Sequence, residues 1–240
     1  PEAAPAPFVY VPTDEQPRLI HHDDQILVVE KPAGLLSVPG RGEDRADCLI
    51  ARLAVAFPTV LLVHRLDLDT SGVMVFALTP HAQRHLGQQF ERRQTKKAYV
   101  ARLSGRLKPK SGTVDLPLIV DWPNRPRQKV DHKDGRPART EWRVIRADDA
   151  ETRVRLNPVT GRSHQLRVHL ATLGHAILGD ALYAARADRE QADDGHDAER
   201  EGCRGHALGD GARAAASTAR RHGGGSTARR CCCWWRSRWR

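Results

Sequence analysis

Short runs of apolar and β-branched residues, bounded by Gly, Pro or Asp, recur along the chain and predict β-strands. The predicted strands are residues 18–23, 25–31, 73–78, 98–103, 114–120, 138–145 and 152–156. The acidic pairs Asp23-Asp24 and Asp148-Asp149 stand between neighbouring runs and predict the turns of two hairpins. Much of the chain is therefore expected to form antiparallel strand pairs.

Apolar residues at spacings of three and four predict three helices. Pro58 ends the first, Thr79 caps the second with Pro80 at its first position, and Ser163 caps the third, which Gly174 ends. The expected buried positions are Leu49, Leu53 and Phe57 in the first helix, Leu86 and Phe90 in the second, and Leu166, Leu170 and Leu173 in the third.

Strands and helices mix without a strict βαβ alternation, which favours the α+β class with a mixed, mostly antiparallel sheet and flanking helices. The composition changes near residue 185: from there to Arg240, Leu208 is the only Leu, Ile, Val, Met, Phe or Tyr. Such a segment cannot bury enough apolar surface to offset its ordering entropy. We therefore predict an N-terminal extension (1–17), a catalytic domain (18–184) and a low-complexity basic tail (185–240) that is disordered or the product of a frameshift.

The net charge of +10 favours a polyanionic partner such as nucleic acid. Cys48 is expected to be a small buried apolar residue, and no CxxC pair indicates a zinc site or a disulfide framework. Residues 1–7 lack the features of a secretory signal, and no apolar run is long enough for a membrane helix. These observations favour a cytoplasmic protein that does not associate with membranes.

A dense polar run, His64 to Gly72 (HRLDLDTSG), separates two apolar segments. Taken alone, Asp67 in this run could simply pair with Arg65 or cap a turn. A second run, residues 158–169, has the sequence PVTGRSHQLRVH, and a third, residues 96–101, has the sequence KKAYVA. The five-residue spacing of His164 and His169 does not suit two metal ligands on one helix face, so no metal site is predicted.

Together these runs resemble the HRLDxxTSG, TGRxHQLRVH and KxYxA segments of the RluA-type RNA pseudouridine synthases. The resemblance covers about residues 18–184 and implies the pseudouridine synthase fold and an isomerase that needs no metal or cofactor. It implies that Asp67 is the catalytic aspartate and that Arg167 pairs with it. It further implies that Tyr99 supports the pocket by stacking or proton transfer, and that Arg65 holds the RNA open around a flipped uridine.

Residues 121–129 mix Trp122 with amide and cationic side chains and suit contact with RNA bases and phosphates. The predicted RNA-binding residues are Arg65, Arg125, Arg127, Lys129, Arg162 and His164. Loops 35–41 and 121–129 resemble the dual-specificity subgroup of the family. That resemblance implies structured RNA as the partner, either large-subunit ribosomal RNA or a tRNA anticodon stem-loop or both, and a monomeric enzyme.

After Tyr183-Ala184 the family continues into a segment that supplies a sheet strand and a basic active-site residue, and nothing from Ala185 onward matches it. An open sheet edge is therefore expected. This departure leaves two alternatives: an RNA-binding protein of the same fold with impaired catalysis, and a hydrolase that uses Asp67 on another nucleoside-like substrate.

Overall fold

The computed structural model describes residues 9–185 and the backbone of residues 233–237. Within these ranges the helices are α1 (Leu49–Ala56), α2 (Pro80–Glu91) and α3 (Gln165–Thr172), with short 3₁₀ turns at Glu43–Arg45 and Trp122–Asn124. The strands are β1 (Arg18–His22), β2 (Ile26–Lys31), β3 (Leu61–Leu62), β4 (Thr70–Ala77), β5 (Lys97–Ser104), β6 (Ser111–Asp115), β7 (Leu118–Val120), β8 (Gln128–Val130), β9 (Arg139–Ala147), β10 (Glu151–Pro158) and β11 (Cys233–Ser237).

Nine of these strands form one sheet in the order β1-β2-β4-β11-β5-β10-β9-β6, with β3 attached to β4. Among the described strands, only the β4–β11 pair is parallel. Strands β7 and β8 form a separate antiparallel hairpin. The predicted α+β class with a mostly antiparallel sheet is confirmed.

The expected open sheet edge is wrong. Strand β11 fills the gap between β4 and β5, with Trp234 and Trp235 opposite Ser71 and Gly72 on one side and Val100 and Tyr99 on the other. Five residues of the predicted tail therefore belong to the sheet. The rest of the predicted tail, residues 186–232 and 238–240, lies outside the described residues, as do residues 1–8 of the predicted extension.

Two predicted hairpins and one predicted helix cap are present. Strands β1 and β2 pair around Asp23, whose carboxylate accepts hydrogen bonds from the amides of Gln25 and Ile26. Strands β9 and β10 pair around Asp148 in the same way. The Thr79 hydroxyl accepts a hydrogen bond from the Ala82 amide and caps α2. These elements were predictable because each one depends on a few consecutive residues.

The predicted third helix needs two corrections. It begins at Gln165 rather than near Ser163, because its N-cap residue is His164 in the left-handed region (φ 51°, ψ 20°). The side chain of Gln165 is buried, accepts from the Arg162 amide and donates to the Arg139 carbonyl, which fixes the start of the helix against β9. Leu173, expected in the core, is 38% exposed.

Two other expectations change. The single strand expected over residues 114–120 is split into β6 and β7, which belong to different sheets. The predicted boundary at residue 18 does not separate two packed units: Tyr10 is buried and its hydroxyl donates to the Asp47 carbonyl, while the Arg52 guanidinium donates to the Thr13 carbonyl.

The core is divided by the sheet. On one face of β4, Met74 and Phe76 pack in a cluster with Leu49 and Leu53 of α1, and on the other face Val75 packs with α2. A further cluster joins β5, β9 and β10 to α3. Tyr99 packs against both this cluster and the α1 cluster. It therefore lies where two halves of the domain meet, one that contains α1 and one that contains α3. Among the described helices, none has the length and apolar character required to cross a bilayer.

Candidate active site

A cavity of about 340 Å³ opens where the two halves of the domain meet. Its size is within the range of about 300–1,000 Å³ typical of small-molecule sites. The first two predicted motif runs and Tyr99 of the third converge on it. Its lining residues are His64, Arg65, Leu66, Asp67, Thr70, Phe90, Lys97, Tyr99, Pro158, Thr160, Gly161, Arg162, His164, Gln165, Leu166 and Arg167.

Asp67 lies in the turn that leads into β4, and the residues on both sides of it are held in place. The Ser37 hydroxyl donates to the Leu66 carbonyl (2.7 Å) and accepts from the Leu66 amide (3.1 Å). The Leu68 carbonyl accepts from the Lys31 ammonium and the Gly34 amide, each at 3.0 Å. The Asp67 side chain, 35% exposed, is therefore presented to the cavity on a fixed backbone.

The Lys31 side chain is completely buried beneath this turn. Burial lowers the pKa of Lys31 to about 7, while the nearby carboxylates of Asp69 and Asp67 act in the opposite direction. His64 is half-buried, and desolvation lowers the pKa of its imidazole to about 4. It is neutral at pH 7, so its Nε2 can accept a hydrogen bond from the Val75 amide (3.2 Å) and attach the start of the motif to β4.

Arg167 of α3 contacts two carboxylates. Its Nη1 lies 3.4 Å from Asp67 Oδ2, so the two residues that the sequence pairs are in contact. Its Nε and Nη2 both donate to Asp180, each at 2.7 Å, so Asp180 is its closer partner. The side chain of Asp180 is fully buried. Burial raises the pKa of Asp180, but the bonds from Arg167 and from the amides of Leu182 and Tyr183 outweigh it and keep the pKa below its usual value.

His164 lies between Asp67 and Tyr183. Its Nε2 is 3.9 Å from Asp67 Oδ2, and its Nδ1 is 2.8 Å from the Tyr183 hydroxyl, which also accepts from the Gln128 amide (2.7 Å). Burial lowers the pKa of His164 and raises that of the Tyr183 phenol. A neutral imidazole and a protonated phenol therefore face each other beside the carboxylate at pH 7.

The other predicted site residues divide into two groups. Tyr99, half-buried on β5, and Arg65, exposed at the rim, both line the cavity. Arg162 also lines it, and its Nε donates to the Pro137 carbonyl (3.1 Å). Arg125, Arg127 and Lys129 do not line the cavity; they are exposed on the hairpin that contains β7 and β8.

This hairpin is connected to the cavity through Tyr183. The Arg127 guanidinium lies 5.3 Å from the centre of the Tyr183 ring, and the Arg167 guanidinium lies 5.1 Å from the same ring centre. Arg125 stacks on the exposed Trp122 at 4.0 Å. Arg127 of the hairpin is thus connected through Tyr183 to Arg167 and His164, which line the cavity.

Sequence reasoning missed Lys97, Asp180 and Tyr183 as parts of the site. Lys97 borders Tyr99 in the third motif run, and its Nζ donates to the Thr160 carbonyl across the cavity (3.1 Å). Asp180 follows the apolar residues 176–178 after one glycine, and an acidic residue at the end of such a run is the signal that could have indicated it. In the described part of the chain, no group of three or more His, Cys, Asp or Glu is arranged to hold a metal ion.

Comparison with known proteins identifies the family of the chain. Residues 25–172 match the sequence model of the RNA pseudouridylate synthase family. The chain is 55% identical over 167 residues to the dual-specificity RNA pseudouridine synthase RluA of Yersinia pestis, a match that covers 69% of this chain and 81% of that protein. It is 54% identical over 175 residues to the protein of the same name from Escherichia coli K12, covering 72% of this chain and 80% of that one.

Solved structures show the same relationship. Human RNA pseudouridylate synthase domain containing 1 superposes with a TM-score of 0.60 at 29% identity and covers 74% of this chain and 73% of its own. Human RNA pseudouridylate synthase domain containing 4 gives a TM-score of 0.59 at 28% identity and covers 70% of this chain and 69% of its own. The predicted fold is confirmed, and the chain belongs to the RNA pseudouridylate synthase family of isomerases, which convert uridine in RNA to pseudouridine.

Proposed function

We propose that Asp67 is the nucleophile of this isomerisation. The observation that carries the proposal is the position of its carboxylate: it faces the cavity on a turn fixed at Leu66 and Leu68, with the Arg167 guanidinium 3.4 Å away. Because Asp180 holds Arg167 through two hydrogen bonds, the guanidinium provides a fixed positive charge beside Asp67. Such a charge favours an ionised, correctly directed carboxylate.

The proposed reaction begins with a uridine that has left its stack and entered the cavity. The Asp67 carboxylate attacks C1′ of the ribose, and the N1–C1′ bond breaks, which releases a uracil anion. The uracil turns so that C5 faces C1′, the C5–C1′ bond forms, and Asp67 departs. The C5 proton is then lost and N1 gains one. Product and substrate have the same composition, so the reaction needs no oxidant, reductant or second substrate.

Other side chains of the cavity support these steps. Tyr99 can stack on the uracil with its ring, and its phenol can relay a proton in the last step, accepting the proton from C5 as its own hydrogen passes on toward N1. Arg65, exposed at the rim, occupies the space that the flipped nucleotide leaves in the RNA. Arg162 and His164 contact the nucleotide from the start of α3.

The proposed substrates are a uridine in large-subunit ribosomal RNA and a uridine in a tRNA anticodon stem-loop, both in the cytoplasm, and the proposed active species is a monomer. The names of the Yersinia and Escherichia relatives, which include dual specificity, support two substrates. Arg125, Arg127 and Lys129 on the exposed hairpin support structured RNA over a free nucleoside, because phosphate contacts outside the cavity add affinity.

Tritium release from RNA that carries 5-tritiated uridine tests the reaction, because release requires loss of hydrogen from C5. Wild-type protein should release tritium from both a ribosomal RNA and a tRNA transcript. Asp67→Asn keeps the shape of the side chain and should bind RNA but release nothing. Equal release by both proteins would remove Asp67 from the mechanism.

Three further outcomes separate the alternatives. RNA binding by the wild-type protein without release would identify an RNA-binding protein with impaired catalysis. Free uracil in solution would identify a hydrolase. Release from only one of the two transcripts would overturn the dual specificity and leave the isomerase.

A further inference from the structure

Among the described residues, six arginines lie on one face of the sheet away from the cavity. Five of them lie opposite one another in the strand register, and the sixth, Arg139, forms ion pairs with Asp115 and Glu141. Side chains alternate along a strand, and Ala101, Leu103, Val154, Leu156 and Trp142 face the core from β5, β10 and β9. Their neighbours therefore project from the opposite face. We call this set the arginine face: it consists of Arg102, Arg143, Arg146, Arg153 and Arg155.

Strand register places these arginines directly opposite one another. Arg153 is paired with Arg102 on one side and with Arg146 on the other, and Arg155 is paired with Arg143. A register shift between Arg153 and Val154 brings Arg146 to the same face as Arg143. Like charges directly opposite each other on a sheet are destabilising unless an opposite charge lies nearby.

Carboxylates offset only part of this charge among the described residues. Glu151 forms a two-pronged contact with Arg102, and Asp148 lies 3.8 Å from Arg146. Glu141, on the same face, is directed to Arg139 at 3.7 Å. Within the described ranges no carboxylate forms an ion pair with the exposed Arg143 or Arg155. The pair formed by these two side chains is therefore available to an external anion.

The arginine face is within reach of an RNA that occupies the cavity. Arg155 is three residues before Pro158, which lines the cavity, so their backbones are about 10 Å apart along β10, with the two side chains on opposite faces of the sheet. A folded ribosomal or transfer RNA is much larger than this distance. Phosphates outside the target loop could therefore contact the arginines while the uridine is bound.

We propose that the arginine face is a second RNA-binding surface, which holds the phosphate backbone of the substrate outside the loop that enters the cavity. Bound phosphates relieve the repulsion between the paired arginines and receive charge-assisted hydrogen bonds from them. This surface adds affinity and orientation without reading sequence. The inference rests on the proposed RNA substrate but is independent of the assignment of Asp67.

The test measures the affinity for a full-length tRNA transcript as a function of salt, with the variants Arg143→Gln and Arg155→Gln and their combination. Each lost phosphate contact lowers the magnitude of the slope of log affinity against log salt by about 1. The slope of the double variant should therefore be smaller in magnitude by about 2. The rate of a single turnover at saturating RNA should not change, because neither residue reaches the cavity.

Arg18→Gln is the matched control, because it removes one charge at the opposite edge of the sheet, where Arg18 is 70% exposed. It should leave the salt slope unchanged. The double variant Arg143→Lys/Arg155→Lys should retain most of the slope, which separates loss of charge from loss of structure.

Three results would overturn the proposal. They are an unchanged slope in the double glutamine variant, an equal decrease in Arg18→Gln, and a fall in the saturated single-turnover rate of the glutamine variants. Failure of the proposed function has a different signature, since the wild-type protein would then bind RNA without releasing tritium, or would not bind it.

Discussion

Arg167 illustrates how one residue can serve both the fold and the site. Its guanidinium is 13% exposed and is shared between a fully buried carboxylate, Asp180, and a partly exposed one, Asp67. A buried cation needs a buried counter-charge, and Asp180 supplies it. The contact with Asp67 is longer and leaves that carboxylate room to move toward a substrate.

Asp180→Asn should therefore damage both stability and activity. Removing one partner of a buried ion pair leaves the other charge uncompensated and typically costs about 3–5 kcal/mol. The displaced guanidinium would no longer direct Asp67, and misplacement of about 1 Å can reduce a rate about 100-fold. Urea unfolding and tritium release measure the two effects.

Glu151→Gln is the control for this prediction. It removes the carboxylate of another two-pronged arginine contact, to Arg102, but this pair is partly exposed and does not line the cavity. Loss of this pair should lower the unfolding free energy by about 1 kcal/mol or less and leave the rate of tritium release unchanged. An Asp180→Asn protein as stable and active as wild type would show that Arg167 needs no buried partner.

The contacts of His164 favour one of its two neutral tautomers. The Tyr183 hydroxyl accepts from the Gln128 amide, so its own hydrogen is free to be donated to His164 Nδ1. A neutral imidazole that accepts at Nδ1 carries its proton at Nε2, the nitrogen that faces Asp67 at 3.9 Å. His164 can then donate toward the Asp67 carboxylate or a bound ribose.

Tyr183→Phe should relax this arrangement. Without the hydroxyl, the proton of His164 can occupy either nitrogen, and the single-turnover rate should fall about fivefold to tenfold, the equivalent of one hydrogen bond of about 1 kcal/mol. Nitrogen-15 NMR of labelled histidine reports the tautomer, and His164→Gln assigns the signal. Tyr10→Phe is the control, because the Tyr10 hydroxyl also joins two groups, the Asp47 carbonyl and the Leu36 amide, but neither of these residues lines the cavity.

A wild-type His164 with its proton at Nδ1, or an unchanged tautomer in Tyr183→Phe, would contradict the prediction.

Asp67, Arg167 and Tyr99 could be placed in one site from the sequence because each lies in a motif run. Asp180 and Tyr183 could not, because their roles depend on a tertiary contact with Arg167 and His164 rather than on neighbouring residues.

At the level of elements, the Asp67 turn depends on the segment that follows β2. Lys31 donates to the Pro32 and Leu68 carbonyls, and Ser37 holds both backbone groups of Leu66. The contacts with Leu66 and Leu68 join residues 29 to 37 positions apart in the chain. Buried charge is unusual for a structural contact, and it makes the stability of the turn depend on pH.

The unfolding free energy should rise with pH between 7 and about 10 through Lys31. Burial lowers the pKa of folded Lys31 from 10.5 to about 7, so in this window the unfolded chain binds a proton that the folded chain does not. Unfolding therefore becomes less favourable as the pH increases, whereas below pH 7 both states are protonated and the effect disappears.

Urea unfolding of the wild type and of Lys31→Met at pH 7 and pH 9 isolates this contribution, because other titrating groups are common to both proteins. The difference in unfolding free energy between wild type and variant should change in favour of the wild type at pH 9. Parallel behaviour of the two proteins would show that Lys31 is not desolvated in the folded state.

Some elements are determined by adjacent residues and others by residues that are distant in the chain. The hairpins β1–β2 and β9–β10 and the Thr79 cap follow from adjacent residues, so the sequence predicted them. The start of α3 was wrong because the buried Gln165 side chain, bonded to Arg162 and Arg139, replaces the cap expected at Ser163. The division of residues 114–120 between two sheets also depends on distant partners: β6 pairs with β9, and β7 pairs with β8.

At the scale of the whole molecule, β11 joins the two halves of the sheet. Strand β4 follows the Asp67 turn and β5 carries Tyr99, and in the sheet order they are connected through β11. The composition of the tail gave no indication of this strand, because the pairing is provided by the free edges of β4 and β5 rather than by a periodic pattern. The position of Asp67 relative to Tyr99 therefore depends on residues more than 130 positions away.

Trp235→Pro tests whether this strand holds the molecule together. Trp235 is paired with Gly72 on one side and Tyr99 on the other, and proline has no amide hydrogen to donate inside a sheet. The substitution should lower the unfolding free energy by at least about 1–3 kcal/mol, the cost of an unpaired buried polar group, and should reduce tritium release. Trp235→Val keeps the amide and suits a strand, so the difference between the two variants isolates the backbone contribution. If both variants were equally stable and active, β11 would not be required to connect the Asp67 turn to β5, and the two walls of the cavity would be held by their side-chain contacts alone.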